Sequence, residues 1–375
     1  MLRRPRLAAL TAMVLAFSIL LPGTAVAVTP PTLAGRVVQS GLVIPWDIAF
    51  APSGRMIVTE RPGRVRVYES GNLNAPLIAT STIGRVHAEG EAGVMGIAID
   101  HDFVNTRWVY ICVSRNDNGA WRNQLIRYRM TAGWHLDFSK YLIRNGMRAN
   151  TIHNGCAVQE GPDHKIWLSM GDANHSMDAQ DPNKLNGKIL RVNRDGSIPA
   201  DNPIWPGHSS PNRVYSIGHR NPQGIAFHPE TGRVYAVEHG PDRDDEINWI
   251  RPGRDYGWPC VTGRNHFNMS CPGHPAFTLP AFSTEGPTWA TSGGVFANGA
   301  NWGDWDNSLL VCSLKESDLR RFSVALDGSP VTYHALLFNN RWGRLRAAVL
   351  GPGNKLYITT SNGSNDKVVR ITPSP

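Results

Sequence analysis

The chain has 375 residues, 41% of them hydrophobic, with 38 Lys and Arg against 30 Asp and Glu and a formal net charge of +8. Its basic residues are scattered rather than gathered into a run, which excludes the electrostatic footprint of a nucleic-acid-binding protein. The five cysteines have no zinc-site spacing and no Cys-x-x-Cys-His sequence occurs, which excludes a sequence-encoded zinc centre and an attached haem.

The N-terminus reads as an export signal. Arg3, Arg4 and Arg6 form a basic start, Leu7 to Leu21 an apolar core, and Ala25-Val26-Ala27 a small-residue cleavage site. The apolar run falls short of the roughly 20 residues a bilayer requires. Residues 1–27 are therefore expected to be removed, leaving residues 28–375 as one domain with no stable membrane insertion. Loss of the three arginines lowers the formal charge from +8 to +5, a modest excess that suits a small anionic ligand.

From Val37 onward one pattern returns six times: an apolar alternation, a turn with Pro or Gly, a second apolar strand and a third. Its instances are Asp47 to Tyr68, Gly96 to Tyr128, Cys156 to Val192, Gly224 to Ile250, Gly294 to Phe322 and Ala347 to Ile371. Short β-branched and aromatic runs alternate with Gly, Pro, Asn and Asp, and extended helical periodicity is missing. The recurrence predicts an all-β fold, a six-bladed β-propeller of four-stranded antiparallel blades, with the 12 Trp packed between blades. Ligands bind such folds where loops converge near the central channel. The longer insertions therefore carry weight: Asn116 to Arg122, Ala173 to Asn186, Pro199 to Asn212 and Gly263 to Trp289.

Cys260 and Cys271 flank a Gly/Pro/Asn-rich stretch with no strand pattern of its own and are the expected disulfide pair. Cys112 and Cys312 lie in apolar runs and read as buried free thiols, while Cys156 is left open.

The densest set of chemically useful side chains runs from Gly218 to Pro259. It gathers Arg220 and Asn221, His239-Gly240-Pro241, the acidic run Asp242 to Glu246, and Tyr256-Gly257-Trp258 around one short predicted strand, Arg233 to Glu238. Asp242 and Asp244 read as a solvated acidic turn. Arg344 and Arg346 alternate on one face of a strand, which is normally a solvated edge.

In order along the chain, PWDIAFAPSGRMIVTERPGRV, EAGVMGIAIDHDF, HNG at 153–155, GKILRVNRDGSIPADNP, GHRNPQGIAFHPETG, EHGP, DDEINWIRPGRDYGWP and RLRAAVLGPGNKLYITT resemble the soluble pyrroloquinoline quinone (PQQ)-dependent sugar dehydrogenases of the glucose/sorbosone dehydrogenase type. The resemblance implies a six-bladed propeller, PQQ and Ca2+ as cofactors, a small sugar substrate and an external electron acceptor. By the same resemblance His153 is the general base, a role that needs an imidazole within reach of the sugar hydroxyl. Arg220, Asn221, Lys315, Arg344 and Arg346 match cofactor contacts, suited to the three carboxylates and vicinal carbonyls of PQQ. Gly240 and Pro241 match the pair whose carbonyls hold the catalytic calcium, and Glu246 and Tyr256 a second, structural calcium.

Three positions depart from the family pattern. Glu91 stands where Gln is usual at a cofactor or substrate contact, so its charge is expected to weaken an anionic cofactor or to be held protonated or paired with a cation. Cys156-Ala157-Val158 follows His153-Asn154-Gly155 where Gly-Arg-Leu is common, and Ala347 replaces an Asp. The leading expectation is an exported PQQ- and calcium-dependent dehydrogenase oxidising an aldose hydroxyl. The alternatives are a non-catalytic secreted propeller that binds carbohydrate or protein, and a calcium-dependent lactonase-like hydrolase, which needs several carboxylates converging at the channel.

Overall fold

Each predicted unit folds as an antiparallel sheet whose first strand is innermost, because its apolar alternation is covered on both faces. In the computed structural model, which describes residues 29–271 and 276–374, the inner strands of blades 1 to 6 are Pro45–Phe50, Val94–Ile99, Gly155–Glu160, Pro222–Phe227, Thr291–Phe296 and Leu345–Gly351. They pack in a closed ring, the sixth against the first. The expected export signal lies outside the described residues. No helix among the described residues is long and apolar enough to cross a membrane.

The ring closes with a strand that the repeat did not reveal. Thr32–Leu42 precedes the first unit and pairs antiparallel with Asp366–Ser374, completing blade 6 from the opposite end of the chain. Blade 4 also finds its outer strand unexpectedly: Phe282–Ser283 comes from the long insertion and pairs with Glu246–Ile250, and Val261–Thr262 with His266–Phe267 forms a two-stranded ladder. That segment does contain strands, too short to show a pattern. The Asn116 to Arg122 insertion is likewise a hairpin tip, its two strands continuing to Asp117 and from Ala120.

Six apolar clusters form the core, one in each crevice between neighbouring blades. Trp46, Trp167, Trp205 and Trp302 are buried there as expected, whereas Trp121 is exposed. Packing is closest at the inner ring. A Cβ added to Gly96 would lie 2.3 Å from the Cys156 carbonyl oxygen of the next blade, so only glycine fits.

Cys260 and Cys271 are disulfide-bonded as expected, and Cys312 is a buried free thiol whose pKa burial pushes up. The expectation for Cys112 is corrected. It pairs with Cys156, because the crevice between blades 2 and 3 brings their Cα atoms to 5.6 Å although they are 44 residues apart. Closing a loop of that length stabilises by roughly 4 kcal/mol through the unfolded chain, against about 3 kcal/mol for the shorter one. A Cys112→Ala/Cys156→Ala variant should therefore lose more stability than Cys260→Ala/Cys271→Ala in denaturant titration; the reverse order would overturn this ranking.

Candidate active site

Every inner strand carries a register shift near its start, between Gly155 and Val158 in blade 3 and between Leu345 and Ala348 in blade 6, for example. Such bulges re-aim side chains, here at the end of the propeller where the inner strands begin. His153 immediately precedes one of them. Its φ is +57°, a left-handed conformation costing about 1 kcal/mol for a non-glycine residue. Three interactions hold it there: its N–H donates to Glu91 Oε2 at 2.8 Å, its carbonyl accepts from Ala173 N–H at 3.0 Å, and its ring Nδ1 lies 2.8 Å from Asp172 Oδ1. A carboxylate oxygen accepts, so Nδ1 carries a proton, and in the neutral ring Nε2 is the acceptor. Asp172 is buried, and its other oxygen accepts from Trp258 Nε1 at 2.8 Å.

Three of the predicted cofactor residues share one cavity, joined to this histidine through Glu91. Glu91, Arg344 and Arg346 line a cavity of about 350 Å³ with Trp46, Arg61 and His239, within the ~300–1,000 Å³ of small-molecule sites. Arg344 is exposed at its edge, and Lys315 is exposed beside Leu314, a further wall residue. Arg220 adjoins the cavity through the His239 carbonyl, which accepts from its Nη1 at 3.1 Å. The reading of Arg346 as a solvated edge residue is corrected, because its strand is the innermost of blade 6. Its guanidinium is buried 3.7 Å over Trp46 and donates to Gln223 Oε1 at 3.0 Å and Ser361 Oγ at 3.2 Å. Burial draws it down to about 10, opposed by the Glu91 charge, so it stays cationic at neutral pH.

Glu91 has no ion pair among the described residues and is held by neutral donors instead. Its oxygens accept from Asn221 Nδ2 at 3.3 and 3.2 Å, from Gln223 Nε2 at 3.2 Å and from the His153 N–H. Asn221 in turn accepts from Gly155 N–H at 3.1 Å. One hydrogen-bonded network thus joins His153, Glu91, Asn221, Gln223 and Arg346 across blades 3, 4 and 6.

Three of the predicted metal residues, Gly240, Glu246 and Tyr256, line one small void. The Gly240 carbonyl accepts from Arg220 Nη1 at 2.8 Å and lies 2.6 Å from His239 Nδ1, so a cation there displaces these donors. The turn itself is held by buried Asp245, which accepts from Gly240 N–H at 2.8 Å, Thr288 Oγ1 at 2.7 Å and Trp289 N–H at 2.7 Å. Glu238 and Asp244 wall the same void, beside Arg220 and His239. Burial, reinforced by the Glu238 charge, pushes Glu246 well above the usual carboxylate range. Asp244 is buried and paired with His266 at 2.8 Å, which corrects its reading as solvated; Asp242 is exposed as expected. Asp244 Oδ1 and Asn248 Oδ1 are buried with no hydrogen-bond partner among the described residues.

Sequence reasoning missed Asp172, Gln223, Trp46 and Asp245. Only Asp172 left a signal: it follows the second strand of its unit, where Glu60 and Glu238 end theirs.

The central channel holds one further titrating group. Asp47 lines a narrow void of about 30 Å³, and burial outweighs the N–H donors of Ile97 and Ile48, pushing its carboxyl up to about 7. Its folded value lies above the roughly 3.9 of an unfolded Asp. The folded state therefore binds the extra proton, and stability falls as pH rises from about 4 through 7. Asp47→Asn should flatten this slope in denaturation curves across that window; an unchanged slope would assign it to another group.

The Glucose / Sorbosone dehydrogenase family model matches residues 42–370. The chain is 30% identical over 360 residues to the aldose sugar dehydrogenase YliI of Escherichia coli, covering 92% of this chain and 94% of that protein. It is 33% identical over 256 residues to quinoprotein glucose dehydrogenase B of Acinetobacter calcoaceticus, covering 61% of this chain and 52% of that protein. The PQQ-bound aldose sugar dehydrogenase of Streptomyces coelicolor superposes with a TM-score of 0.76 at 26% identity, over 92% of this chain and all of that one. The matched span takes in His153, Asp172, Arg220 and Arg346 with the inner strands of all six blades, and the chain belongs to the glucose/sorbosone dehydrogenase family.

Proposed function

We propose that this protein is an exported, PQQ- and calcium-dependent dehydrogenase that oxidises the anomeric hydroxyl of an aldose and passes the electrons to an external acceptor. The observation that carries the reading is His153, its Nδ1 held by Asp172 so that in the neutral ring Nε2 is the acceptor, and its backbone bonded to Glu91 in the wall of a cavity shared with Arg61, Arg344 and Arg346. These cations suit the carboxylates of PQQ. Arg220, whose buried Nε has no hydrogen-bond partner among the described residues, offers a further donor. Gly240 and Pro241 would hold one calcium through their carbonyls. The void at Glu238, Asp244 and Glu246 suits a second hard cation, because Asp244 Oδ1 has no donor among the described residues and a cation relieves the repulsion between the buried carboxylates.

When bound, PQQ with its calcium supplies a polarised quinone carbonyl that accepts hydride from the sugar carbon. His153 Nε2 accepts the hydroxyl proton as the C–H bond breaks, so an aldose leaves as its lactone. Asp172 stabilises the imidazolium formed, and Trp258 keeps Asp172 in place. Arg346, stacked on Trp46, fixes one wall of the cavity, and Glu91 anchors the backbone of the base.

The test is dye reduction by the purified mature protein with PQQ, calcium and a panel of aldoses. Sugar-dependent reduction abolished by a chelator is the expected result. Absence of reduction, with the PQQ spectrum unchanged on adding protein, would replace this reading with that of a carbohydrate- or protein-binding propeller.

A further inference from the structure

A cavity of about 840 Å³ lies apart from the site above and is built from three of the insertions that stood out in the sequence. Trp121 and Arg122 come from the hairpin of blade 2, Asp178 and Lys184 from the loop after Asp172, and Arg213 ends the long connection in blade 3. Arg148 completes the wall from the loop that ends in His153. The two loops that present the base and its carboxylate partner therefore also line this cavity. They are tied together at Asn186, which accepts from Arg148 N–H at 2.8 Å and donates to the Gly171 carbonyl at 3.0 Å.

The lining is cationic. Arg122, Arg148, Lys184 and Arg213 face a single carboxylate, Asp178, which is already 3.5 Å from Arg148. Arg122, Lys184 and Arg213 have no ion pair among the described residues, and Arg213 Nε is shut off from solvent with no hydrogen-bond partner among them. Beside these charges Trp121 presents a half-exposed indole, its ring stacked 3.7 Å from His87, and Asn183 and Asn212 add amides to the wall. Uncommitted guanidinium forks recognise carboxylate, sulfate or phosphate, and a braced indole with planar amides suits a pyranose face and its hydroxyls. A concave site of this volume fits a small ligand better than the flat surface of a protein.

We infer that this cavity is a subsite for an anionic saccharide, a sugar chain bearing a carboxylate or a sulfate or phosphate ester. The saccharide half of the inference rests on the sugar-dehydrogenase reading; the anion half rests on the uncommitted cations alone. Substrates of this class extend from His153 along the loops shared with the second site, so that charge at a distance from the reacting carbon contributes to selection.

Calorimetry on the protein without PQQ separates the two readings. Trigalacturonate, a sulfated trisaccharide, neutral maltotriose and inorganic sulfate are titrated at low salt and at about 0.5 M salt, where exposed charges are screened. At least one charged trisaccharide is expected to bind roughly ten- to a hundredfold more tightly than maltotriose. Arg122→Ala/Arg213→Ala should remove that preference, and Trp121→Ala should weaken the saccharides but not inorganic sulfate. A preference for the uronate assigns a carboxylate ligand, and a preference for the sulfated sugar an ester. Equal binding of charged and neutral sugars, inorganic sulfate binding as tightly as the sulfated sugar, or a preference surviving the double substitution would each overturn the subsite. Loss of this binding with dye reduction intact sinks only the subsite; charged-sugar binding without any dye reduction sinks only the dehydrogenase.

Discussion

Replacing His153 with alanine is expected to lower turnover in the PQQ-loaded protein by roughly 10²- to 10⁴-fold, the usual contribution of a positioned general base, while PQQ uptake changes little. The sharper test is Asp172→Asn. The carboxylate accepts from Nδ1 at 2.8 Å and thereby makes Nε2 the acceptor of the neutral ring. An asparagine can turn its NH₂ toward Nδ1, and the ring then moves its proton to Nε2, where it no longer accepts one. Turnover should fall about 10²-fold or more with KM nearly unchanged, because the side chain keeps its size and still accepts from Trp258. Steady-state dye reduction reads both constants. An Asp172→Asn enzyme within threefold of the parent would show that the tautomer is not held by this contact, and the base would have to be sought elsewhere.

Asp245→Ala should give the largest loss of stability among single substitutions at the site. Its two buried oxygens satisfy the backbone N–H groups of Gly240 and Trp289 and the Thr288 hydroxyl. Each buried donor left without a partner costs about 1–3 kcal/mol, so several kcal/mol are expected in total. For a chain of this size that corresponds to a fall in Tm on the order of 5–10 °C. The Gly240–Pro241 turn should loosen at the same time, raising the calcium concentration needed for half-maximal activity. Asp245→Asn, which keeps one acceptor, should lose about half as much. A normal melting temperature in Asp245→Ala would mean that water replaces the carboxylate and the turn is held by other contacts.

Much of this molecule is legible in the linear chain, for reasons that differ from element to element. The six units are visible because each inner strand must be largely apolar on both faces, as Ile48 to Phe50 and Gly224 to Phe227 are, and because the turns after them need Gly, Pro or Asn. His153, Arg220 and Gly240 are visible because they stand in short segments whose order resembles a known family. Glu91 was legible as a departure and not as a function: the consequence of its charge depends on Asn221 and Gln223, 130 and 132 residues away, which donate to it. Asp172 and Asp245 look like ordinary acidic residues until folding aims one at His153 and wraps the other in N–H groups.

The sequence alone therefore determined the propeller architecture, the number of blades and the stretches from which a site is drawn, since these follow from local periodicity and turn chemistry that each unit carries within itself. Tertiary structure decided the closure of the ring by Thr32–Leu42, the bond between Cys112 and Cys156, the burial of Arg346 on Trp46 and the free Nε2 of His153. The first three join residues far apart in the chain, and the last joins two loops of blade 3. The propeller converts large separations along the chain into contacts between neighbouring blades, and a hydrogen bond, ion pair or disulfide depends on distance and direction that local sequence does not encode.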